Sequence, residues 1–155
     1  FEVKVMKLTG EVLNSYKRNV IVDANSSKAL FSVPLDEALK GVRKEDVFIH
    51  AVLLTDKGNS NYTNNYFLVK QKEVNYPKAQ LATSVQPIEG GFEVTLSSDN
   101  FARAVFIATG DANSSFSDNY FDILPGSSVK VEVYTDLPMA TFEKQLKVVS
   151  LSDEY

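Results

Sequence analysis

Apolar side chains recur at every second position in several separate segments of this 155-residue chain. The alternation is plainest at residues 1–5, 92–96 and 129–133. A repeat of two residues is the period of a β-strand that has one face on a core and one face in water. Two further runs, at residues 47–54 and 104–108, are apolar on both faces, which is typical of central strands. The pattern therefore predicts an all-β protein.

Turn residues separate these runs, and together they predict about eleven short strands at the spacing of all-β sandwiches. About five fall in the first half of the chain, where residues 67–69 close the last strand, and about six in the second. The one predicted helix covers residues 36–41, with Asp36 as its cap and Gly41 as its stop. The turn signals include Thr9-Gly10, residues 56–59, residues 89–91 and Pro125-Gly126.

The best division of the chain lies at Asn75-Tyr76-Pro77-Lys78. Pro77 cannot donate a hydrogen bond to a strand ladder and favours extended backbone before it, as in a short, stiff junction. We predict two tandem immunoglobulin-like (Ig-like) β-sandwiches, at residues 1–77 and 78–155. Each is shorter than the usual Ig-like domain of about 100 residues. Because the chain opens directly on a strand, we expect the first sandwich to be truncated at its N-terminus.

Composition removes several classes of function. The chain has 16 Lys and Arg against 20 Asp and Glu, a net charge of −4, which disfavours binding to nucleic acid or to an anionic membrane. It has no cysteine, so disulfides, thiolate catalysis and zinc–thiolate sites are excluded. No run reaches the 18 to 20 apolar residues of a membrane span. We expect no cofactor. The compartment stays open, with the bacterial periplasm or secretion favoured.

No catalytic residue is predicted. The paired carboxylates Asp36/Glu37 and Glu45/Asp46 lie in turns, where adjacent side chains diverge, whereas a retaining glycosidase needs two carboxyl groups about 5 Å apart in a cleft. His50 is the only histidine and interrupts an apolar run. It has neither a nucleophile elbow nor metal partners at ligand spacing, so we expect a structural role.

A weak metal candidate is formed by Asp111, Asn113 and Asp122, which fall at the first, third and twelfth positions of an EF-hand-like spacing. Phe116 stands where such a loop requires glycine, and the flanking segments are predicted strands rather than helices. A turn in which Asp and Asn bind nearby backbone explains the same residues. The turn is therefore the favoured interpretation, and calcium is the alternative.

Aromatic residues suggest a second kind of site. Exposed, coplanar rings can stack on sugars. Two clusters occur, one around Tyr62, Tyr66 and Phe67 and the other around Tyr120 and Phe121. Alternation predicts that each Phe faces a core while Tyr66 and Tyr120 lie on the other face. Tyr62, Tyr66 and Tyr120 are weak carbohydrate-binding candidates, with a core or interface role as the alternative, including for Tyr120 a buried ring whose hydroxyl binds backbone.

The sequence of the second half resembles that of the C-terminal Ig-like domain of β-mannosidases of glycoside hydrolase family 2. The resemblance is most specific at Ser117-Asp118-Asn119-Tyr120-Phe121-Asp122 and the following Leu124-Pro125-Gly126. The first half is similar to the preceding Ig-like domain of these enzymes. The other matching stretches are residues 89–96, 99–103 and 146–151 in the second half, and residues 3–13, 46–49 and 64–67 followed by Pro77 in the first.

This resemblance implies a parent enzyme that hydrolyses terminal β-linked mannose with retention, using two Glu residues on a (β/α)₈ barrel upstream of Phe1. None of the residues present matches those catalytic motifs. We therefore expect a non-catalytic C-terminal β-sandwich region that packs on, or extends, a catalytic barrel of the same chain. One alternative is a carbohydrate-binding module for mannan or mannosylated glycans, and another is a cell-surface Ig-like adhesion module.

Overall fold

The computed structural model describes residues 1–54 and 61–153. The chain divides into two units, Phe1–Asn75 (unit 1) and Tyr76–Tyr155 (unit 2). The predicted turn at residues 56–59 lies outside the described residues. The domain limits predicted from sequence, 1–77 and 78–155, stay a prediction, which limited proteolysis around Pro77 would test.

Unit 1 contains one short α-helix and, in its described part, four strands: β1 (Glu2–Lys7), β2 (Val12–Lys17), α1 (Leu35–Leu39), β3 (Val47–Leu54) and β4 (Asn61–Tyr66). The strands form one antiparallel sheet in the order β2-β1-β3-β4. Because β3 has a neighbour on both sides, its run of apolar residues is that of a central strand, as predicted. One face of the sheet packs on α1, where Val5, Val47 and Leu39 are buried.

The predicted cap of α1 is wrong. The helix begins at Leu35 with Pro34 at the N-cap position, and the Ala38 N–H donates to the Pro34 carbonyl at 3.0 Å. Asp36 lies inside the first turn, where its negative charge favours the helix dipole. Lys40 takes a left-handed conformation (φ 50°) and ends the helix just before Gly41.

Unit 2 contains, among its described residues, seven strands and one α-helix: β5 (Leu81–Ile88), β6 (Gly91–Ser98), β7 (Ala102–Ala108), β8 (Ser115–Phe116), β9 (Phe121–Ile123), β10 (Ser128–Tyr134), α2 (Met139–Gln145) and β11 (Lys147–Val149). The strands form two antiparallel sheets, β5-β6-β10-β8 and β11-β7-β9. Val94, Val105 and Val131 are fully buried in one core cluster to which strands of both sheets contribute.

Helix α2 was not predicted. Pro138 occupies its N-cap position, and Phe142 is fully buried and stacks on Phe92 with ring centroids 4.3 Å apart. Proline followed by good helix formers is a start signal that the sequence does contain. The helix is short, however, and its single buried aromatic gives no apolar period to detect.

The predicted end of the last strand of unit 1, at residues 67–69, is also wrong, because β4 ends at Tyr66. Phe67 nevertheless packs towards the interior, with its ring centroid 6.3 Å from that of buried Phe48. The described strands therefore divide as four in unit 1 and seven in unit 2, rather than about five and six.

Candidate functional site

Strand β4 presents two exposed tyrosines on one face of the unit 1 sheet. Tyr62, Asn64 and Tyr66 occupy alternate positions and pair across the ladder with Leu53, Ala51 and Ile49. Tyr62 is 64% exposed and Tyr66 is 60% exposed. Exposed aromatic rings on one face of a strand can contact the apolar surface of a ligand, so this row is the first candidate for a binding surface.

A shallow groove of about 320 Å³ lies beside Tyr62 and Asn64, and Tyr66 does not line it. Its lining includes Phe1, Leu30 and Leu53 together with Tyr62 and Asn64. Phe1 is held in place by Phe31, whose ring lies 5.6 Å from it, and Phe31 in turn packs 5.5 Å from Tyr16. The lining of the groove is therefore mostly apolar.

The alternate residues of β4 lie on the opposite face of the sheet, where Asn65 has a structural role. Asn65 lies opposite His50, and its Oδ1 is 2.8 Å from His50 Nδ1. His50 is only 9% exposed, so the predicted structural role agrees with its surroundings. The alternation of β4 thus separates Asn64, whose side chain is exposed, from Asn65, whose side chain contacts His50.

The third candidate tyrosine, Tyr120, lies on unit 2 in a different setting. It precedes β9 in a left-handed conformation (φ 61°), and its ring stacks on Phe106 at 4.9 Å. Tyr120 is 68% exposed, so the buried-ring alternative for this residue is wrong. Phe106 was not predicted to take part, because only tertiary structure brings β7 beside the segment before β9.

Asn119 fixes the backbone that carries Tyr120. Its side-chain Oδ1 accepts the Ile107 N–H at 2.8 Å, and its Nδ2 donates to the Ile107 carbonyl at 2.9 Å. One amide side chain thereby continues the ladder between β7 and β9 by a further residue. A stacked, exposed ring on a fixed backbone can offer its free face to a planar or apolar ligand surface.

Two of the three metal candidates, Asp111 and Asn113, share one turn, whereas Asp122 lies elsewhere. Asp111 accepts hydrogen bonds from the Asn113 N–H at 3.1 Å and from the Ser114 and Thr135 hydroxyls. The bond from the Asn113 N–H, with those two hydroxyl bonds, lowers the pKa of the Asp111 carboxyl. This is the local turn that the sequence favoured over calcium.

Asp122 belongs to a bulge instead of that turn. It accepts hydrogen bonds from Arg103 at 2.5 Å and from the Ala104 N–H at 3.2 Å, where Ala104 has a φ of 48° and the pairing of β7 with β9 shifts register. Across residues 1–54 and 61–153, no group of three or more His, Cys, Asp or Glu residues is placed to hold a metal ion. None of the described helices has the length and apolarity that crossing a membrane requires.

One member of the paired carboxylates, Asp46, has structural partners. Asp46 binds Arg43 at 2.9 Å and the Asn75 amide at 2.7 Å. These bonds, that from Arg43 first, lower the pKa of Asp46. Arg43 lies in the same segment before β3, and Asn75 ties that segment to the end of unit 1, so Asp46 has a structural role.

Each half of the chain matches a known protein-family model. Residues 76–154 match the family model of the mannosidase Ig-fold domain, and residues 1–73 match that of the mannosidase Ig/CBM-like domain. The chain therefore belongs to the mannosidase Ig-fold domain family, with two Ig-like domains in tandem. The predicted resemblance to β-mannosidase Ig-like domains and the predicted all-β fold class are both confirmed.

Among solved structures, the chain is similar to the β-D-mannosidase of Dictyoglomus thermophilum, with 22% identity and a TM-score of 0.73. The match covers 97% of this chain but only 18% of that enzyme. At this identity the likeness shows the fold. None of the curated proteins compared matches the chain.

Proposed function

We propose that this chain is a non-catalytic accessory region of a β-mannosidase-like glycoside hydrolase, which packs on or extends a catalytic barrel of the same protein. The observation that carries the proposal is the match of both halves to Ig-like domain families of mannosidases. The parent enzyme is proposed to hydrolyse terminal β-linked mannose with retention of configuration.

Surface chemistry supports a docking role. Among the described residues, unit 1 exposes eight large apolar or tyrosine side chains, including Ile21 at 87%, whereas unit 2 exposes three. Contiguous apolar surface left in water is typical of a face that another domain covers, and unit 1 has more of the side chains that could form one. The adhesion-module alternative receives no support from either family match.

Two measurements test the accessory role. The purified 155-residue chain is expected to release no nitrophenol from an aryl β-mannoside. In the longer enzyme, deletion of the region is expected to lower the temperature at which the catalytic unit loses activity. Turnover by the chain alone, or unchanged thermal inactivation after the deletion, would contradict the proposal.

A second candidate function is carbohydrate binding, with mannan or mannosylated glycans as targets. The exposure of Tyr62 and Tyr66 on one face of β4 favours it, and Tyr120 is a separate candidate platform on unit 2. Calorimetry of the chain with mannan oligosaccharides at millimolar concentration tests this function. No heat of binding would remove it and leave the accessory role untouched.

A further inference from the structure

We propose that strand β5 of unit 2 is a self-association edge, at which a second copy of this chain pairs antiparallel with β5 about a twofold axis at Thr83. β5 is an edge strand, because β6 is its one partner among the described strands. At eight residues it is also the longest edge strand of the described sheets. Self-association goes beyond the accessory role and does not depend on it.

The neighbours of β6 show which backbone groups of β5 are turned outward. The Ser98 N–H donates to the Ser127 carbonyl at 3.4 Å and continues the ladder between β6 and β10. Consecutive residues of an antiparallel strand direct their backbone groups to opposite sides, so even-numbered residues of β6 face β10 and odd-numbered ones face β5. The β5 partners of those odd residues are even-numbered, such as Ser84 opposite Thr95. The odd-numbered residues of β5 therefore direct their N–H and carbonyl groups to the open edge.

This open edge is complementary to itself. Leu81, Thr83 and Val85 each offer one donor and one acceptor there. When Thr83 lies opposite Thr83 of a second copy, Leu81 lies opposite Val85, and all three donors of each copy meet the three acceptors of the other. Pro87 lies on the same edge and has no N–H, so a register that placed it opposite Leu81 would leave the Leu81 carbonyl without a donor. Pro87 thus favours the register centred on Thr83.

Charge also favours a second copy in the antiparallel direction. Edge strands are commonly protected from pairing by charged side chains, but residues 79–88 contain none. Lys78 precedes this stretch and Glu89 follows it, and both are exposed. Antiparallel pairing brings Lys78 of each copy to the end where Glu89 of the other lies, whereas parallel pairing would bring like charges together.

A groove of about 410 Å³ beside β5 provides space for the second strand. Its lining consists of Thr83, Ser84, Val85, Glu143, Leu146 and Val148. Leu81 and Val85 of β5 pack against the core of unit 2, and equivalent residues of a strand added to the sheet would project to the same face. Leu81 and Val85 of the second copy therefore enter the groove and cover its apolar wall, while Glu143 is exposed and keeps its carboxylate in water.

Sedimentation equilibrium of the 155-residue chain, from micromolar to millimolar concentration, tests the association. We expect a reversible rise from the mass of one chain to that of two, because a twofold interface closes on itself and stops at the dimer. The mass of a single chain throughout the range would overturn the proposal. So would a mass that continues to rise past two chains.

Charge variants at the twofold axis distinguish a second copy from an unlike partner. Thr83→Lys and Thr83→Glu each place two like charges opposite one another, and each is expected to weaken association at least about fivefold. An equimolar mixture of the two variants should restore the dimer, because opposite charges then meet. Ser128→Lys is the matched control, since Ser128 is exposed on β10, which β6 separates from β5. Unchanged association of both Thr83 variants, or a mixture that stays monomeric, would overturn the assignment.

A backbone variant and a direct contact test the register. Thr83→Pro removes one outward donor from each copy without removing a bond to β6, and it is expected to weaken association about tenfold. In the dimer, Ala82 lies opposite Ser84 of the second copy as a non-hydrogen-bonded pair with Cα atoms about 4.5 Å apart. An isotope-filtered NOE between their Hα protons is the expected signal, and contacts between other pairs would overturn the register. Far-ultraviolet circular dichroism of each variant verifies that lost association does not reflect lost folding.

Discussion

Unit 1 and unit 2 use similar lengths of strand-rich chain but complete their cores differently. Unit 2 has two sheets that share one buried cluster, including Val94, Val105 and Phe142. The described part of unit 1 has one sheet. Helix α1 and neighbouring loop residues such as Val33 cover part of one face of that sheet. The unit with one sheet is also the one that exposes most of the large apolar side chains.

The Asn-Tyr-Phe triplets, at residues 65–67 in unit 1 and 119–121 in unit 2, also differ between the two units. In unit 2, Asn119 binds the main chain of Ile107 and fixes an exposed Tyr120. In unit 1, Asn65 binds the His50 side chain within a regular strand. Similar sequence therefore lies at the start of a strand in unit 2 and at the end of a strand in unit 1. The comparison shows that unit 2 closes its core between two sheets, whereas the described part of unit 1 leaves more of its large apolar side chains in water.

The largest expected effect is in the unit 2 core. Phe142→Ala removes a fully buried ring stacked on Phe92 and is expected to cost about 3–5 kcal/mol of unfolding free energy. Leu39→Ala in helix α1 of unit 1 should cost less, about 2–3 kcal/mol, because that core is smaller. Urea unfolding measures both. An equal or larger loss for Leu39→Ala would break the comparison.

The second-largest expected loss of stability comes from replacing a closely packed glycine by alanine. A Cβ on Gly91 would lie 2.0 Å from the Val133 carbonyl oxygen, so Gly91→Ala must displace β10 and is expected to cost about 2–3 kcal/mol. Gly41 in unit 1 has a φ of +80° but open space around it. Gly41→Ala should cost about 1–2 kcal/mol, the strain of left-handed backbone alone. Thermal unfolding of the two variants compares them, and the reverse order would refute this account of strand packing in unit 2.

Replacing the asparagine of either Asn-Tyr-Phe triplet by alanine is expected to cause a smaller loss of stability. Asn119→Ala leaves the N–H and carbonyl of fully buried Ile107 without their partner, and we expect a loss of about 1–3 kcal/mol. Asn65→Ala removes a bond to a side chain, with an expected loss of about 1 kcal/mol. Amide hydrogen exchange at Ile107 provides the specific readout. Unchanged protection in Asn119→Ala would show that the side chain does not extend the ladder.

The smallest expected effect is electrostatic. The pKa of Asp46 in unit 1 is lowered first by Arg43 and then by Asn75, whereas that of Asp111 in unit 2 is lowered first by the Asn113 N–H and then by hydroxyls. Each carboxylate therefore adds stability above its unfolded-state pKa. This contribution is lost as the pH falls through the lower folded-state pKa.

Salt distinguishes the two carboxylates. One molar salt should bring the pKa of Asp46 closer to its ordinary value, because an exposed cation is screened, and should leave that of Asp111 nearly unchanged. Carboxyl NMR titration at low and high salt measures both values. An equal response of the two groups would contradict the assigned causes.

Much of the fold could be predicted from local pattern. The alternation at residues 92–96 and 129–133 predicted β6 and β10, and the doubly apolar runs predicted the central strands β3 and β7. Helix α2 and the αL turn at Tyr120 could not be predicted, because a single buried Phe and one positive φ leave no periodic signal. Of the site, the three tyrosines were named from sequence, but Leu53, Asn64 and Phe106 depend on which strands become neighbours.

The sequence by itself determined an all-β chain with two similar modules and a mannosidase-like identity, because alternation, turn residues and the motif ending in Leu124-Pro125-Gly126 are local properties. Only the tertiary structure decided which rings meet water. A strand pattern shows that Tyr62 and Tyr66 share a face, but their exposure depends on what covers that face. The stack of Tyr120 on Phe106 likewise exists only because a bulge and the Asn119 amide hold two distant segments side by side.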